Sequence, residues 1–258
     1  MVRLSSSVGR QGPVLRAIDP WAPSAGRMRQ WLTADERARL AVMASVVQFK
    51  KGEVIYREGD RSEAIFNIIS GVVTSYKKLP GGGEHIVAFL LADDLFGLCE
   101  EGRYTNSTKA IVPVTAHSLP VIALRKYLSQ NAELEYHVIC RLCQELAQAQ
   151  RHAFLLCQRS ALSRVVMFLR LIEQSQVLRG EDRNEVYLPM DRSDIAEYTG
   201  MTLPTVSRAF RSLATSGIIK VRNRRHVRII DRTGFDKIAG DPPSASATEV
   251  PNEPRRAY

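Results

Sequence analysis

The sequence predicts an α+β chain: an antiparallel β barrel or sandwich first, a long helix next, and a compact basic helical unit last. Three observations carry this. Between Val46 and Ile122, short β-branched and aromatic runs alternate with clusters bearing Gly or Asp, the pattern of many short antiparallel strands. Residues 132–157 contain no Gly or Pro and carry a regular apolar stripe, which reads as one uninterrupted helix. From Met190 to Arg232 the chain reads as a helix, a tight turn at Gly200, a second helix and a basic hairpin.

At 258 residues the chain suits two modest domains, each with its own core, and a hydrophobic content of 45% is ordinary for a globular protein. No apolar run approaches the roughly 20 residues of a bilayer span. Residues 1–28 are basic, nearly free of acids and lack an apolar signal core, so a disordered tail is expected there and secretion is not. Cys99, Cys140, Cys143 and Cys157 have no disulfide-framework spacing, which fits a reducing cytoplasm.

Taken in order, Leu32–Val47 shows an amphipathic helical pattern that Thr33 would cap. The strand-like runs are VVQF, EVIY, AIFNII, GVVTSY, HIVAFL, AIVPVTA and LPVIAL. Within 132–157, Ile139, Leu142, Leu146, Ala149, Ala153 and Leu156 recur at spacings of 3, 4, 3, 4 and 3. That is the seam of a helix pair, although a helix packed on its own domain can carry a similar stripe. A further helix is expected around Ser160–Gln176, then a turn at Gly180–Asn184 and a strand at Val186–Leu188. Residues 241–258 are polar and Pro-rich.

In the last unit Asp191 stands where an N-cap is wanted, and Ile195 and Ala196 give the first helix a buried side. Gly200 supplies the left-handed backbone of a sharp corner. Thr202 would cap the second helix, with Val206, Ala209 and Leu213 on one face. This is the spacing of a helix-turn-helix, which lays its second helix in the DNA major groove. Thr202–Arg232 holds eight Lys/Arg (Arg208, Arg211, Lys220, Arg222, Arg224, Arg225, Arg228 and Arg232) against one acid, Asp231. A surface that basic fits a polyanionic partner, as does the chain's net charge of +9.

FKKGEVIYREGD, AIFNIISGVVTSYKKLPGGG and IVAFLLADDLFGL resemble the β-roll of cyclic-nucleotide-binding-type sensor domains. Joined to a long helix and DIAEYTGMTLPTVSR, the whole resembles the CRP/FNR family of bacterial transcription regulators, its FNR/FixK branch in particular. The resemblance covers roughly residues 30–235. It implies a cyclic-nucleotide-binding-like jelly roll over 29–131, a dimerisation helix over 132–157 and a winged helix-turn-helix over 158–236, with disordered tails at 1–28 and 237–258. It further implies a cytoplasmic homodimer, two-fold symmetric double-stranded DNA sites and RNA polymerase as a partner. The residues themselves show no P-loop, no G-x-S-x-G and no metal-ligand cluster, so no catalysis is expected, and no membrane partner either.

The family's Glu-x-x-Ser-Arg reading pattern appears here as Pro204, Thr205, Val206, Ser207 and Arg208. Ser207 and Arg208 match, and Pro204 takes the place of the Glu. Pro204, Ser207 and Arg208 are therefore the expected base readers, with the half-site altered where Glu would meet cytosine. Thr202, Thr205, Arg211, Arg222, Arg224 and Arg225 are the expected backbone contacts.

The signal is less legible. A cyclic-nucleotide pocket needs a Glu for the ribose and an Arg-Ser or Arg-Thr pair for the phosphate. Leu95–Ala110 offers Asn106-Ser107 or Ser107-Thr108, with Arg103 out of register, so cyclic AMP is not expected. Residues 1–98 hold no cysteine, so neither is an FNR-type Fe-S cluster. Cys99 and Cys143 stand as redox candidates, and His85, His137 and His152 as haem ligands, none specified by spacing. A sensor whose output is mainly protein–protein contact is the alternative class. It differs by lacking specific, steeply salt-dependent DNA binding.

Overall fold

The computed structural model describes residues 40, 42–99, 101–178 and 182–240. The expected tail at 1–28, residues 241–258, Gly180 and most of the Leu32–Val47 helix with its cap Thr33 lie outside the described residues.

The amino-terminal domain comprises β1 (Ser45–Phe49), β2 (Val54–Tyr56), β3 (Ala64–Ser70), β4 (Val73–Lys78), β5 (Glu84–Leu90), β6 (Leu95–Phe96), β7 (Ser107–Ala110) and β8 (Val114–Pro120). They form two four-stranded sheets, β1-β8-β3-β6 and β2-β7-β4-β5, paired antiparallel throughout. Aromatic rings fill the space between them. The Tyr56 ring lies 3.6 Å from that of Tyr104 and 6.1 Å from that of Phe66, and Phe66 lies 5.1 Å from Phe96. Gly71 makes the β3–β4 reversal with φ +98, where a Cβ would sit 2.3 Å from the Pro113 carbonyl oxygen. Only glycine fits there.

Two expectations for this domain need correcting. The helix expected to reach Val47 has given way to β1 by Ser45, because Ser45–Phe49 pairs along β8 in register with Val114–Ser118. LPVIAL is not a strand: β8 ends at Pro120 and α1 (Val121–Leu128) begins. Pro120 sits at the N-cap with φ −59, a position that proline tolerates. Burial of Leu124 beside Ile65, Leu119 and Leu134 outweighs the β preference of Val121 and Ile122.

α2 (Ala132–Cys157) is a single helix of 26 residues, about 39 Å long at 1.5 Å per residue. Leu134, His152 and Leu155 are buried on one side. Arg141 bonds Asp94 at 2.6 Å and so ties the helix to the β5–β6 turn.

The carboxy-terminal domain is α3 (Ala161–Leu178), β9 (Glu185–Tyr187), α4 (Arg192–Thr199), α5 (Leu203–Thr215), β10 (Ile219–Val221), β11 (His226–Ile229) and α6 (Arg232–Ala239). The strands form one antiparallel sheet, β10-β11-β9. α6 corrects the domain end expected at 236 and the tail expected from 237. Asp231 caps it, accepting from the Gly234 amide at 3.0 Å, and Phe235 is fully buried. The nearly buried Glu173 of α3 pairs with Arg232, while Arg170 pairs with Asp236 at 2.7 Å.

One apolar core runs between the domains, from Tyr76, Ile86 and Phe89 of the β-roll to Phe168 and Tyr198. The Phe89 ring lies 6.0 Å from Phe168 and 5.2 Å from Tyr198. His152 stacks on Tyr198 at 4.0 Å, and its Nε2–H donates to the Tyr198 carbonyl at 2.7 Å. The first helix of the helix-turn-helix is thus seated on β5 and on the end of α2.

Candidate nucleic-acid interface

The helix-turn-helix is fixed by local bonds. The Asp191 amide donates to the Asp194 carboxylate at 2.8 Å at the start of α4. Gly200 takes φ 63 and ψ 36, and a Cβ there would press to 3.3 Å from Leu156. Arg164 clamps the corner, donating to the carbonyls of Thr199 at 3.1 Å and Gly200 at 3.3 Å. Thr202 caps α5 by accepting from the Thr205 amide at 3.4 Å. Pro204 falls in the first turn, where a missing amide costs no helical bond.

α5 is divided by its period. Val206, Ala209, Phe210 and Leu213 are buried, while Thr202, Leu203, Pro204, Ser207, Arg208 and Arg211 are exposed. Arg208 donates one Nη to the Thr205 hydroxyl at 3.3 Å, which in turn meets Thr202 Oγ1 at 2.8 Å. The remaining Arg208 donors are directed at no described residue. Pro204, Ser207 and Arg208 therefore lie together on one open, donor-bearing ridge. Arg211 and Arg224 are also exposed, with no side-chain hydrogen bond or ion pair among the described residues.

The hairpin arginines differ in what holds them. Asn223 shapes the turn, its Oδ1 accepting from the amides of Arg225 at 2.8 Å and His226 at 2.9 Å. Arg225 donates to the Pro189 carbonyl at 3.0 Å and stands 3.9 Å from Asp191, so it holds the hairpin tip beside the start of α4. Arg222 stands 3.3 Å from Glu185, and Arg228 3.6 Å from the same carboxylate.

Sequence reasoning missed Arg192, whose Cζ lies 3.1 Å from the Phe210 ring centroid and whose guanidinium is pushed down to about 10 by burial. This contact packs α4 on α5, against the unfavourable helix dipole that a cation meets in the first turn.

On α2, Ile139, Leu142, Leu146, Ala149 and Ala153 are exposed in a row. Leu156, expected to complete that row, is partly buried against the core instead, because the carboxy-terminal domain docks on this end of the helix. In the β-roll, Arg103 donates to the Gly59 carbonyl at 2.7 Å, and the Ser107 hydroxyl accepts from the Glu58 amide at 2.9 Å. Cys99 and Cys140 are half-buried; Cys143 and Cys157 are exposed. His85 and His152 are brought together, rings 5.8 Å apart. Among the described residues, no group of three or more His, Cys, Asp or Glu is placed to hold a metal ion, and no helix is long and apolar enough to cross a membrane.

Residues 163–238 match the family described as the Crp-like helix-turn-helix domain, and residues 46–131 match the cyclic nucleotide-binding domain. The nitrogen fixation regulation protein FixK of Bradyrhizobium diazoefficiens is 35% identical over 191 residues, 74% of this chain and 80% of that protein. The transcriptional activator FnrA of Stutzerimonas stutzeri is 28% identical over 193 residues, 74% of this chain and 79% of that protein. The solved structure of FixK2 from Bradyrhizobium japonicum is 30% identical, covers 78% of this chain and 99% of its own, and superposes with a TM-score of 0.71. The chain belongs to the CRP/FNR family of DNA-binding transcription regulators.

Proposed function

We propose that the chain works as a cytoplasmic homodimer. It pairs through α2 so that two α5 helices enter successive major-groove faces of a two-fold symmetric site and regulate transcription through RNA polymerase. The observation that carries this reading is the outer face of α2. Ile139, Leu142 and Leu146 are 52%, 44% and 60% exposed at seam spacing, on a helix that buries Leu134, His152 and Leu155 on its other side. Single exposed leucines are commonplace, but a continuous stripe is a surface awaiting its own kind.

In this reading Arg208 reads a guanine edge, Ser207 bonds a base edge or phosphate, and Pro204 offers apolar contact to a thymine methyl. Thr202, Thr205, Arg211, Arg222 and Arg224 grip phosphates, and Arg225 holds the wing in place. Cyclic AMP is not the effector in this reading, which is supported by the bonds of Arg103 and Ser107 to the loop backbone and the burial of Thr108 on β7. No Fe-S cluster and no catalytic step belong to this reading.

Selection of bound sequences from random DNA tests it. Symmetric sites are expected, relaxed at the base pair facing Pro204, and Pro204→Glu should restore preference there. Enrichment of asymmetric or unrelated sequences would refute the reading.

A further inference from the structure

The outer face of the wing sheet carries a charge arrangement that DNA reading by α5 does not use. Along β10, β11 and β9, Ile219, Val227, Ile229 and Val186 point into the core. The alternate positions Lys220, His226, Arg228, Glu185 and Tyr187, with Arg222 just past the end of β10, make the outer surface. Arg228 stands opposite both Lys220 and Glu185 in register. Glu185 is the lone acid among them, and its Oε1 is shared by Arg222 at 3.3 Å and Arg228 at 3.6 Å.

The layering of this cluster matters. The Glu185 side chain is 29% exposed, against 52% for Arg222 and 47% for Arg228, so a group approaching from solvent meets the guanidiniums before the carboxylate. Both contacts are longer than a charge-assisted hydrogen bond of about 2.8 Å, and half-exposed pairs of this kind are weak. The hairpin is also fixed to the helix-turn-helix, because Arg225 pins its tip to Pro189 and Asp191 at the start of α4.

We propose that this face extends the DNA contact to backbone phosphates, and that Glu185 is a positioning residue acting as an internal counter-ion. It holds Arg222 and Arg228 in the free protein and surrenders them to a phosphodiester in the complex. The inference rests on the reading of the chain as a DNA-binding dimer. The surrendered carboxylate gathers a cation from solution, offsetting part of the cation release that drives phosphate binding. Glu185 therefore weakens affinity and flattens its salt dependence without touching sequence preference, since phosphate contacts carry none.

The test is Glu185→Gln in the full-length chain, titrated by fluorescence anisotropy onto a selected duplex and a scrambled one over a range of KCl. The variant should bind both about tenfold tighter at 0.15 M salt. Its slope of log K against log salt should steepen by about 1 per protomer, leaving the ratio between duplexes unchanged. Adding Arg222→Gln and Arg228→Gln should erase the gain. In the native background those two changes alone should weaken binding and flatten the slope, which keeps the proposal testable if Glu185→Gln unfolds. An unchanged slope in Glu185→Gln, or a gain that survives loss of both arginines, overturns the inference. Failure of the unaltered protein to prefer the selected duplex would instead overturn the underlying reading.

Discussion

Replacing Leu146 by Ala should cost the dimer, not the fold. Leu146 keeps 60% of its surface exposed in the single chain, so that fraction is left for a second copy to cover. Each buried methylene-sized group contributes about 0.8 kcal/mol, and leucine carries about three more of them than alanine. Scaled to the exposed fraction, the loss is about 1.4 kcal/mol per protomer, and the two-fold axis doubles it to about 3 kcal/mol. That is about a hundredfold in dimer dissociation constant. Sedimentation equilibrium over a concentration series reads it directly, and thermal melting of the β-roll should stay near the unaltered value at high concentration. Ile122, 83% exposed on α1 and outside the stripe, is the control: Ile122→Ala should leave dimerisation unchanged. A Leu146→Ala chain that dimerises as tightly as the parent would refute the reasoning.

Three further outcomes follow from the geometry. Burial holds the His152 imidazole below its ordinary value, with His85 pushing the same way and the bond to Tyr198 opposing. The folded state thus favours neutral His152, so its contribution is complete above about pH 6.5 and is lost as pH falls below that. Urea midpoints should drop between neutral and acid pH more steeply for the parent than for His152→Gln, and parallel profiles would count against the joint. Gly71→Ala should destabilise the β-roll by about 3 kcal/mol or more, because the new Cβ meets backbone at 2.3 Å. Gly59→Ala, at φ +84 with nothing within 4 Å, should cost only about 1 kcal/mol in the same unfolding assay. Arg208→Ala should lose about 1–3 kcal/mol of discrimination at one base pair, whereas Arg211→Ala should weaken all sequences alike. Equal effects of the two would contradict the division of roles.

The helix-turn-helix was legible because its determinants are local. Asp191, Gly200 and Thr202 each satisfy a backbone group within a few residues, and α5 shows its period in four buried side chains. The stripe on α2 was legible for the same reason, except at Leu156, where an incoming domain decides exposure. What failed depended on distant partners. LPVIAL changes element at Pro120 because Leu124 finds Ile65 and Leu134. β6 spans only Leu95–Phe96 and exists by pairing with Phe66 and Asn67, too short for any periodicity to show. α6 is held by Glu173, 59 residues away, and the hold of Glu185 on Arg222 and Arg228 is likewise invisible until β9 joins β11. The docking of Tyr198 against Phe89 and His152 leaves no mark in the sequence around any of the three.

The central claim is that two copies of this chain read one duplex by its sequence. Light scattering of the complex on a selected duplex, with excess scrambled competitor present, measures stoichiometry and preference together. Two protomers on each duplex, retained against competitor, is the result the proposed dimer predicts. One protomer per duplex, or complete loss to competitor, would contradict it.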